Sequence, residues 1–557
     1  MSWGGDRMDN ETINLRVSGM TCNHCATSIE KLLSGKDGVT DATASYSGAS
    51  CACSFDPSRT TREEIINSIN STDKYRVEGE VSIAEGGSGE QFDLIIIGGG
   101  SAAFSAAIKA EELGRSTLMV NAGLPFGGTC VNVGCVPSKT LIRAGEAAYQ
   151  GRHSNFPGIK PRGVDLDFAS VIKKKKHLVS TLQEEKYMKV IRDFENLTLL
   201  TGWATFLDDR TIEVNGVKYK GNKFLIATGA TTNVPSIKGL NEIDYLTNTS
   251  LFDLEERPAS LTIMGAGYIG LEIAMAYNRL GVKIRIIEFT DRVLRTQTPD
   301  ISAALESQMR KEGIEILPNF RAVKFEKQDN VTIIHCKRPD GSLMEVVEEG
   351  RVVIATGTKP NTDKLGLENV GLEFTPKGEI AVNSRMETNL LHIFAAGDVT
   401  NTPAFVYTAA FEGKLAVENA YGAPGHHADY SYLPWVVFTD PQVAGVGMDE
   451  AEAEASGIPH EVSKLGLENV PRAIAAQDMR GFIKLIRNSE NDKLMGARIV
   501  APEGGELTMQ LSMAIRYGIT VQDLAQTFYP YLTLGEGVKL AAIAFGKDVS
   551  KLSCCAS

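Results

Sequence analysis

The chain opens on short alternating runs. Thr12 to Val17 places apolar side chains at every second position, the period of a half-buried strand, and Thr40 to Tyr46 and Ser50 to Phe55 also read as strands. Ala26 to Leu33 and Arg62 to Ile69 instead read as helices, and Tyr75 to Val77 closes the series as a strand. The order βαββαβ predicts a ferredoxin-like domain over residues 11–80. A Gly/Ser-rich polar stretch ending at Glu90 then predicts a flexible linker over 81–90.

From residue 91 the pattern changes. Phe92 to Ile97 is nearly continuous in apolar residues, as in a strand buried on both faces, and it runs through Gly98-Gly99-Gly100-Ser101-Ala102-Ala103 into a helical stretch. Leu261 to Met264 does the same through Gly265-Ala266-Gly267-Tyr268-Ile269-Gly270. A buried strand, a tight glycine turn and a helix N-terminus receive a pyrophosphate: glycines let the backbone approach it and the helix end favours its charge. Gly98, Gly100 and Ala103 form one fingerprint, and Gly265, Gly267 and Gly270 the other, so two dinucleotides are expected.

The acid expected after the first fingerprint is missing. That strand ends in Asn121, whose amide can still hydrogen-bond a ribose hydroxyl without charge. The strand after the second ends in Glu288, which accepts from a ribose 2′-hydroxyl and repels a 2′-phosphate. NADH is therefore favoured over NADPH, although Arg292 and Arg295 lie close enough in sequence to compensate.

Size and charge narrow the class. With 557 residues and 43% hydrophobic composition the chain can build several cores. A net charge of −12 argues against a nucleic-acid partner, because phosphate backbones need clustered Lys and Arg. The basic block Lys173 to Lys176 falls in a helical stretch and reads as a solvated face. No apolar stretch approaches the roughly 18 to 20 residues of a membrane span, and the N-terminus lacks a basic-then-apolar signal. A cytoplasmic protein without direct membrane insertion is expected, and its 9 cysteines are then reduced thiols available for redox or metal chemistry.

Three cysteine pairs stand out. Cys130 and Cys135 sit in a Gly-rich segment running into a helix, where the helix N-terminus lowers thiol pKa and can hold a reactive thiolate. Cys22 and Cys25 lie on a loop opening a helix. Such a pair can grip a soft ion in two-coordinate geometry and leave room for another thiol to take it, although a redox pair or half a zinc site has the same spacing. Cys554 and Cys555 are adjacent on the C-terminal tail, a poor structural staple but able to pass a thiophilic ion by ligand exchange. Cys51 and Cys53 alternate on a strand and face one side of the sheet; they and Cys336 read as inert packing.

Gly-Met-Thr-Cys-x-x-Cys with this strand order resembles the heavy-metal-associated domain of metallochaperones and metal-pumping ATPases, which implies that Cys22 and Cys25 are metal ligands. Gly-Gly-Thr-Cys-x4-Cys-x-Pro-Ser-Lys resembles the flavin disulfide oxidoreductases, and the likeness runs from about residue 91 to the C-terminus. It implies FAD with Gly128 and Thr129 beside it, Cys135 as the thiolate contacting the flavin and Cys130 as the interchange thiol. It also implies Lys139 as the cation near flavin N5 and Glu272 as its partner.

The segments ending in Gly229 and Gly357 resemble those joining the family's two nucleotide domains, and Ile393 to Asp398 resembles its second flavin motif, with Asp398 on the ribityl chain. The architecture implied is α/β. Two Rossmann-like domains, for FAD (91–230 and 357–432) and for NAD(P)H (231–356), precede an α+β dimerisation domain over 433–557, so a homodimer is expected.

One substitution separates the possible activities. Where disulfide-reducing relatives carry a histidine as general acid/base, this chain has Tyr531, and a phenol with pKa near 10 is a poor proton shuttle at neutral pH. With the terminal cysteine pairs, that tyrosine resembles the mercury-reducing branch of the family. The resemblance implies reduction of thiol-bound Hg(II) to Hg(0) by NAD(P)H, Hg(II) supplied by thiols or a membrane mercury transporter, and relay through Cys554 and Cys555 across the dimer to Cys130 and Cys135. Tyr187 is the match for a pocket-lining tyrosine. The alternatives are a dihydrolipoamide- or glutathione-type disulfide reductase with a metal domain, or a copper or zinc chaperone kept reduced by its own flavin core.

Overall fold

The computed structural model describes residues 11–18, 20, 23–45, 50–72, 74–80, 90–422 and 425–551. Two compact units emerge: Met1–Gly128 with Tyr187–Thr228 and Thr362–Pro424, and Thr129–Lys186 with Gly229–Asn361 and Gly425–Ser557.

In the first unit, β1 (Glu11–Ser18), α1 (Asn23–Ser34), β2 (Val39–Ser45), β3 (Ser50–Phe55), α2 (Arg62–Asn70) and β4 (Arg76–Glu80) reproduce the βαββαβ order. The sheet runs β2-β3-β1-β4 and is antiparallel throughout. Its apolar face follows from the two-residue period: Ile13 pairs with Cys53 and Leu15 with Cys51, and all four side chains are buried with Ile29, Leu33 and Phe55. Thr61 starts α2 as an N-cap in a capping box with Glu64, which satisfies otherwise orphan amides. The expected linker falls largely on 81–89, outside the described residues.

The same unit holds a seven-stranded sheet built on β5 (Gln91–Ile97), β6 (Thr117–Asn121), β7 (Leu197–Thr201), β8 (Ala204–Asp208), β9 (Thr211–Val214) and β10 (Val217–Ile226), ordered β7-β6-β5-β10-β9-β8. Strand Ile393–Ala395 adds to β10 in parallel. The parallel strands β5 and β6 have near-continuous burial, as their apolar runs require. Helix α3 (Ser101–Glu112) is mostly small residues, which lets helix Val406–Tyr421 approach so closely that a Cβ on Gly413 would lie 2.0 Å from the Ala102 carbonyl oxygen.

The second unit carries α4 (Gly128–Asn132, whose first residue ends the first unit), α5 (Cys135–Arg152) and α6 (Phe168–Gln183). Its parallel sheet is ordered Glu315–Leu317, Lys283–Ile287, Ser260–Met264, Arg351–Ile354. A three-stranded antiparallel sheet buries Cys336, and a five-stranded one spans Trp435 to Ala501. Among the described residues no helix is long and apolar enough to cross a membrane.

The basic block of α6 is only partly the solvated face expected. Lys173, Lys174 and Lys176 are exposed, but Lys175 is buried with its ammonium 3.2 Å from Asp253, because the helix turns that one position toward the core. Burial lowers its pKa.

Candidate active site

The first unit presents a cradle at the C-terminal edge of its parallel strands. Gly98 follows β5 at φ +133°, and a Cβ there would lie 2.1 Å from the Ala227 carbonyl oxygen. Gly100 is the N-cap of α3, and a Cβ on Gly128 would lie 2.6 Å from its Cα, so position 128 has no room for a side chain. Ala103, fully buried, closes the first turn of α3. This construction leaves the helix N-terminus bare toward an anionic ligand.

Asn121 ends β6. Its amide donates to the Leu124 carbonyl oxygen (2.9 Å), which leaves the side-chain oxygen as its acceptor for a hydroxyl. At the second motif the Gly397 amide donates to the buried Glu412 carboxylate (2.7 Å), and Asp398 follows. Burial first, and the Glu412 charge second, raise the Asp398 carboxyl above its ordinary range. A polar ligand group accepting from or donating to Asp398 would relieve that penalty. Tyr187 lies on a π-helical turn, Glu184–Met188, with its ring edge-on to Phe104 at 4.9 Å.

The second unit holds the thiol pair. Gly134 caps α5, and a Cβ on it would sit 2.9 Å from the Thr129 carbonyl oxygen and 3.3 Å from the Cys130 Cα. That close approach folds α4 back onto the first turn of α5 and brings Cys130 to Cys135. Both are free thiols and half-buried. The Cys130 thiol donates a hydrogen bond to Cys135, which lowers the Cys135 pKa; Lys139, one turn further on, lowers it too, against the opposing effect of burial. The same hydrogen bond and burial push Cys130 up. The pair is therefore poised with one proton on Cys130 and a thiolate on Cys135.

Lys139 is held by Glu272, Nζ to Oε2 at 2.6 Å, and its ammonium lies 4.5 Å from the centroid of the Phe438 ring. The other Glu272 oxygen accepts from the Phe438 amide at 3.0 Å. Glu272 stands on helix Tyr268–Arg279, against which α5 packs through Gly145, whose Cβ would meet the Ala276 carbonyl oxygen at 2.9 Å. The expected pairing of Lys139 with Glu272 is thus present.

That helix begins at the second fingerprint. Gly265 has φ +106°, a Cβ on Gly270 would lie 2.2 Å from the Gly265 carbonyl oxygen, and the space beside Gly267 is open, which leaves room for a pyrophosphate. Glu288 is buried at the end of its strand; one oxygen accepts from the Ala266 amide (2.7 Å) and the other from the Thr290 amide and hydroxyl (2.7 and 2.8 Å). Gly229 and Gly357 flank the strand pair Ala230–Thr232 and Thr358–Pro360, both with positive φ.

Tyr531 is half-exposed at 51% on the loop before helix Gly535–Ile543. On the following helix, one Glu536 oxygen is buried without a hydrogen-bond partner among the described residues. Cys22, Cys554 and Cys555 fall outside the described residues; Cys25 lies on α1, and its side chain is likewise not described. Sequence reasoning missed Glu412, Phe438 and Thr290 as supports of the motifs. Thr290 stands close in sequence to Glu288, whereas Glu412 and Phe438 lie well away from the motifs they support, and nothing in residue spacing shows which way these side chains point.

Comparison with known proteins places these elements. A pyridine nucleotide-disulphide oxidoreductase model matches residues 92–413, the dimerisation domain of that family matches 433–542, and a heavy-metal-associated domain matches 14–74. A mercuric reductase of Lysinibacillus sphaericus is 40% identical over 97% of this chain and 99% of its own length. One of Staphylococcus aureus is 38% identical over 99% of this chain and 100% of its own. Among solved structures, the Cu(II) complex of the HOCl-induced flavoprotein disulfide reductase RclA from Escherichia coli aligns with TM-score 0.72 at 27% identity, covering 80% of this chain and 98% of that one. LpdA from Mycobacterium tuberculosis aligns with TM-score 0.72 at 26% identity over 82% and 100%.

Proposed function

As the chain belongs to the pyridine nucleotide-disulphide oxidoreductase family, we propose that it is a mercury(II) reductase, reducing thiol-bound Hg(II) to Hg(0) with NAD(P)H through FAD and its cysteine pair. The balance is Hg(II) plus NAD(P)H giving Hg(0), NAD(P)+ and a proton. The residues fit the cofactors: the glycine turns at Gly100 and Gly267 suit two pyrophosphates, and a ribityl hydroxyl hydrogen-bonded to Asp398 would offset the burial that raises its carboxyl. FAD and the nicotinamide supply the two electrons.

The chain's own residues supply the metal chemistry. The Cys135 thiolate attacks incoming Hg(II) and displaces one carrier thiolate; Cys130 then displaces the second, passing its proton to the departing carrier. Two thiolates suit a soft ion in linear geometry and neutralise its charge. Lys139, anchored by Glu272, stabilises the negative sulfur before binding and again when two electrons release Hg(0) and return both thiolates. Tyr531 is the observation that carries the reading, since it offers no proton shuttle for a disulfide near pH 7.

Further steps belong to the same reading. Cys22 and Cys25 capture Hg(II) from thiols or from a membrane mercury transporter, and Cys554 and Cys555 relay it. Residues 433–542 match a dimerisation domain, and the exposed Met509, Met513, Tyr517 and Phe528 there suit a homodimer. Glu288 favours NADH. The deciding assay is NAD(P)H oxidation at 340 nm in excess thiol. Hg(II)-dependent absorbance loss is expected; absorbance loss only with oxidised glutathione or lipoamide would replace this reading with a disulfide reductase.

A further inference from the structure

The structure assigns to Asp291 the role of withholding Arg292 and Arg295 from a 2′-phosphate, making it a residue that sets the enzyme's choice of nicotinamide donor. The inference deepens the reading of Glu288 given above and rests on it for the position of the ribose. In a strand-turn-helix dinucleotide site the adenosine ribose lies at the end of the second strand, where Glu288 stands. A 2′-phosphate arriving there brings close to two negative charges and needs cations free to meet it. The nearest in sequence are Arg292 and Arg295.

Neither arginine is free. Arg292 donates from Nη1 to Asp291 at 3.0 Å and from Nη2 to the carbonyl oxygens of Arg295 and Gln297 at 3.4 and 3.3 Å, and its side chain is only 19% exposed. Arg295 Nε lies 3.1 Å from the other Asp291 oxygen. One carboxylate thus engages both guanidiniums. Glu288 and Asp291 offset Arg292 and Arg295, so the segment carries no net charge toward a phosphate dianion; the Arg292 fork points to Asp291 and the backbone, and Arg295 is drawn to the same carboxylate through Nε. A 2′-hydroxyl asks nothing of these arginines and meets only the fixed carboxylate of Glu288.

The clamp is partly open to solvent, with Asp291 and Arg295 side chains 56% and 59% exposed, so its effect on selectivity is moderate. Asp291→Asn in the FAD-loaded full-length enzyme is expected to raise the NADPH:NADH ratio of kcat/KM about five- to tenfold. Binding is read separately by calorimetry: adenosine 2′,5′-bisphosphate should tighten by a similar factor relative to adenosine 5′-monophosphate. Adding Arg295→Ala and Arg292→Ala to Asp291→Asn should remove the gain, whereas Arg295→Ala alone should leave the ratio within about twofold.

A ratio unmoved in Asp291→Asn, or a gain that survives loss of both arginines, overturns the assignment. The reading of Glu288 fails on a different result, a wild-type enzyme preferring NADPH tenfold. The Asp291 comparison would still decide the clamp in that case, because it is made against wild type, whatever the wild-type preference.

Discussion

Lys139 Nζ lies 2.6 Å from Glu272 Oε2, an ion pair joining the helix that begins at Cys135 to the helix that begins at the second dinucleotide loop. Its two ends are unequally placed, with side-chain exposures of 33% for Lys139 and 9% for Glu272. Removing the lysine strands a nearly buried carboxylate, whereas removing the carboxylate leaves an ammonium that water can reach. Lys139→Met should therefore destabilise the fold by about 2 kcal/mol, a buried-pair loss reduced for the lysine's exposure, and Glu272→Gln by distinctly less. Urea unfolding of the two variants checks the order, and a larger loss in Glu272→Gln would contradict it.

The hydrogen bond from Cys130 outranks Lys139 in lowering the Cys135 pKa. In the reduced protein, iodoacetamide should label the Cys135 peptide with a midpoint below the ordinary thiol value of about 8.5. Cys130→Ala should raise that midpoint more than Lys139→Met does. The linkage has two signs. A depressed Cys135 adds stability above the ordinary thiol value that is lost as pH falls through its own pKa; a raised Cys130 adds stability below the ordinary value that is lost as pH climbs through its own. Fragment-ion mass spectrometry across pH 5 to 10 reads the midpoints residue by residue, as no Lys or Arg separates Cys130 from Cys135.

Cys51, Cys53 and Cys336 are buried among apolar side chains, and burial pushes their thiols up to about 12, about 11 and about 11. They should resist alkylation at neutral pH in the native protein and react once it is unfolded. Cys53→Ser should cost about 1 to 3 kcal/mol, by burying a hydroxyl without a ready partner. Labelling of Cys51 or Cys53 in the native state at neutral pH would show that the sheet opens and would make them candidate ligands.

These cases show where the sequence was readable. Period-two alternation put Cys51 and Cys53 on one face, and the glycine fingerprints were legible because a side chain at Gly98 or Gly270 would collide with a carbonyl oxygen. The link from Lys139 to Glu272 came from family likeness alone, since nothing local connects positions so far apart. Direction was illegible. A run of four lysines cannot show that Lys175 alone turns inward to Asp253, nor can spacing show that Arg292 and Arg295 both turn to Asp291. Tertiary packing decides those orientations, and residue type carries little trace of it.

Adjacent thiols at the C-terminus should matter only when mercury arrives held by another thiol. Cys554→Ala with Cys555→Ala is expected to lower kcat/KM for glutathione-bound Hg(II) by about tenfold or more, with a smaller effect on a weakly liganded Hg(II) salt. Stopped-flow oxidation of NAD(P)H with the two mercury sources separates relay from inner chemistry. An equal loss on both would assign the tail to the inner site.

Half-exposed Tyr531 precedes by five residues a glutamate, Glu536, with a buried oxygen that has no hydrogen-bond partner among the described residues. A phenol holds its proton to about pH 10, whereas an imidazole exchanges one near pH 6.5. Tyr531→His would introduce a proton carrier five residues before that carboxylate. A positioned general acid/base contributes roughly 10² to 10⁴ in rate, and a single substituted side chain should realise only part of that. Turnover of oxidised glutathione or lipoamide is expected to rise about tenfold, with a bell-shaped pH profile, while Hg(II) reduction falls. If disulfide turnover stays at its wild-type level, the proton shuttle is not what divides the two activities, and the preference for mercury must lie in the ligands around Cys130 and Cys135.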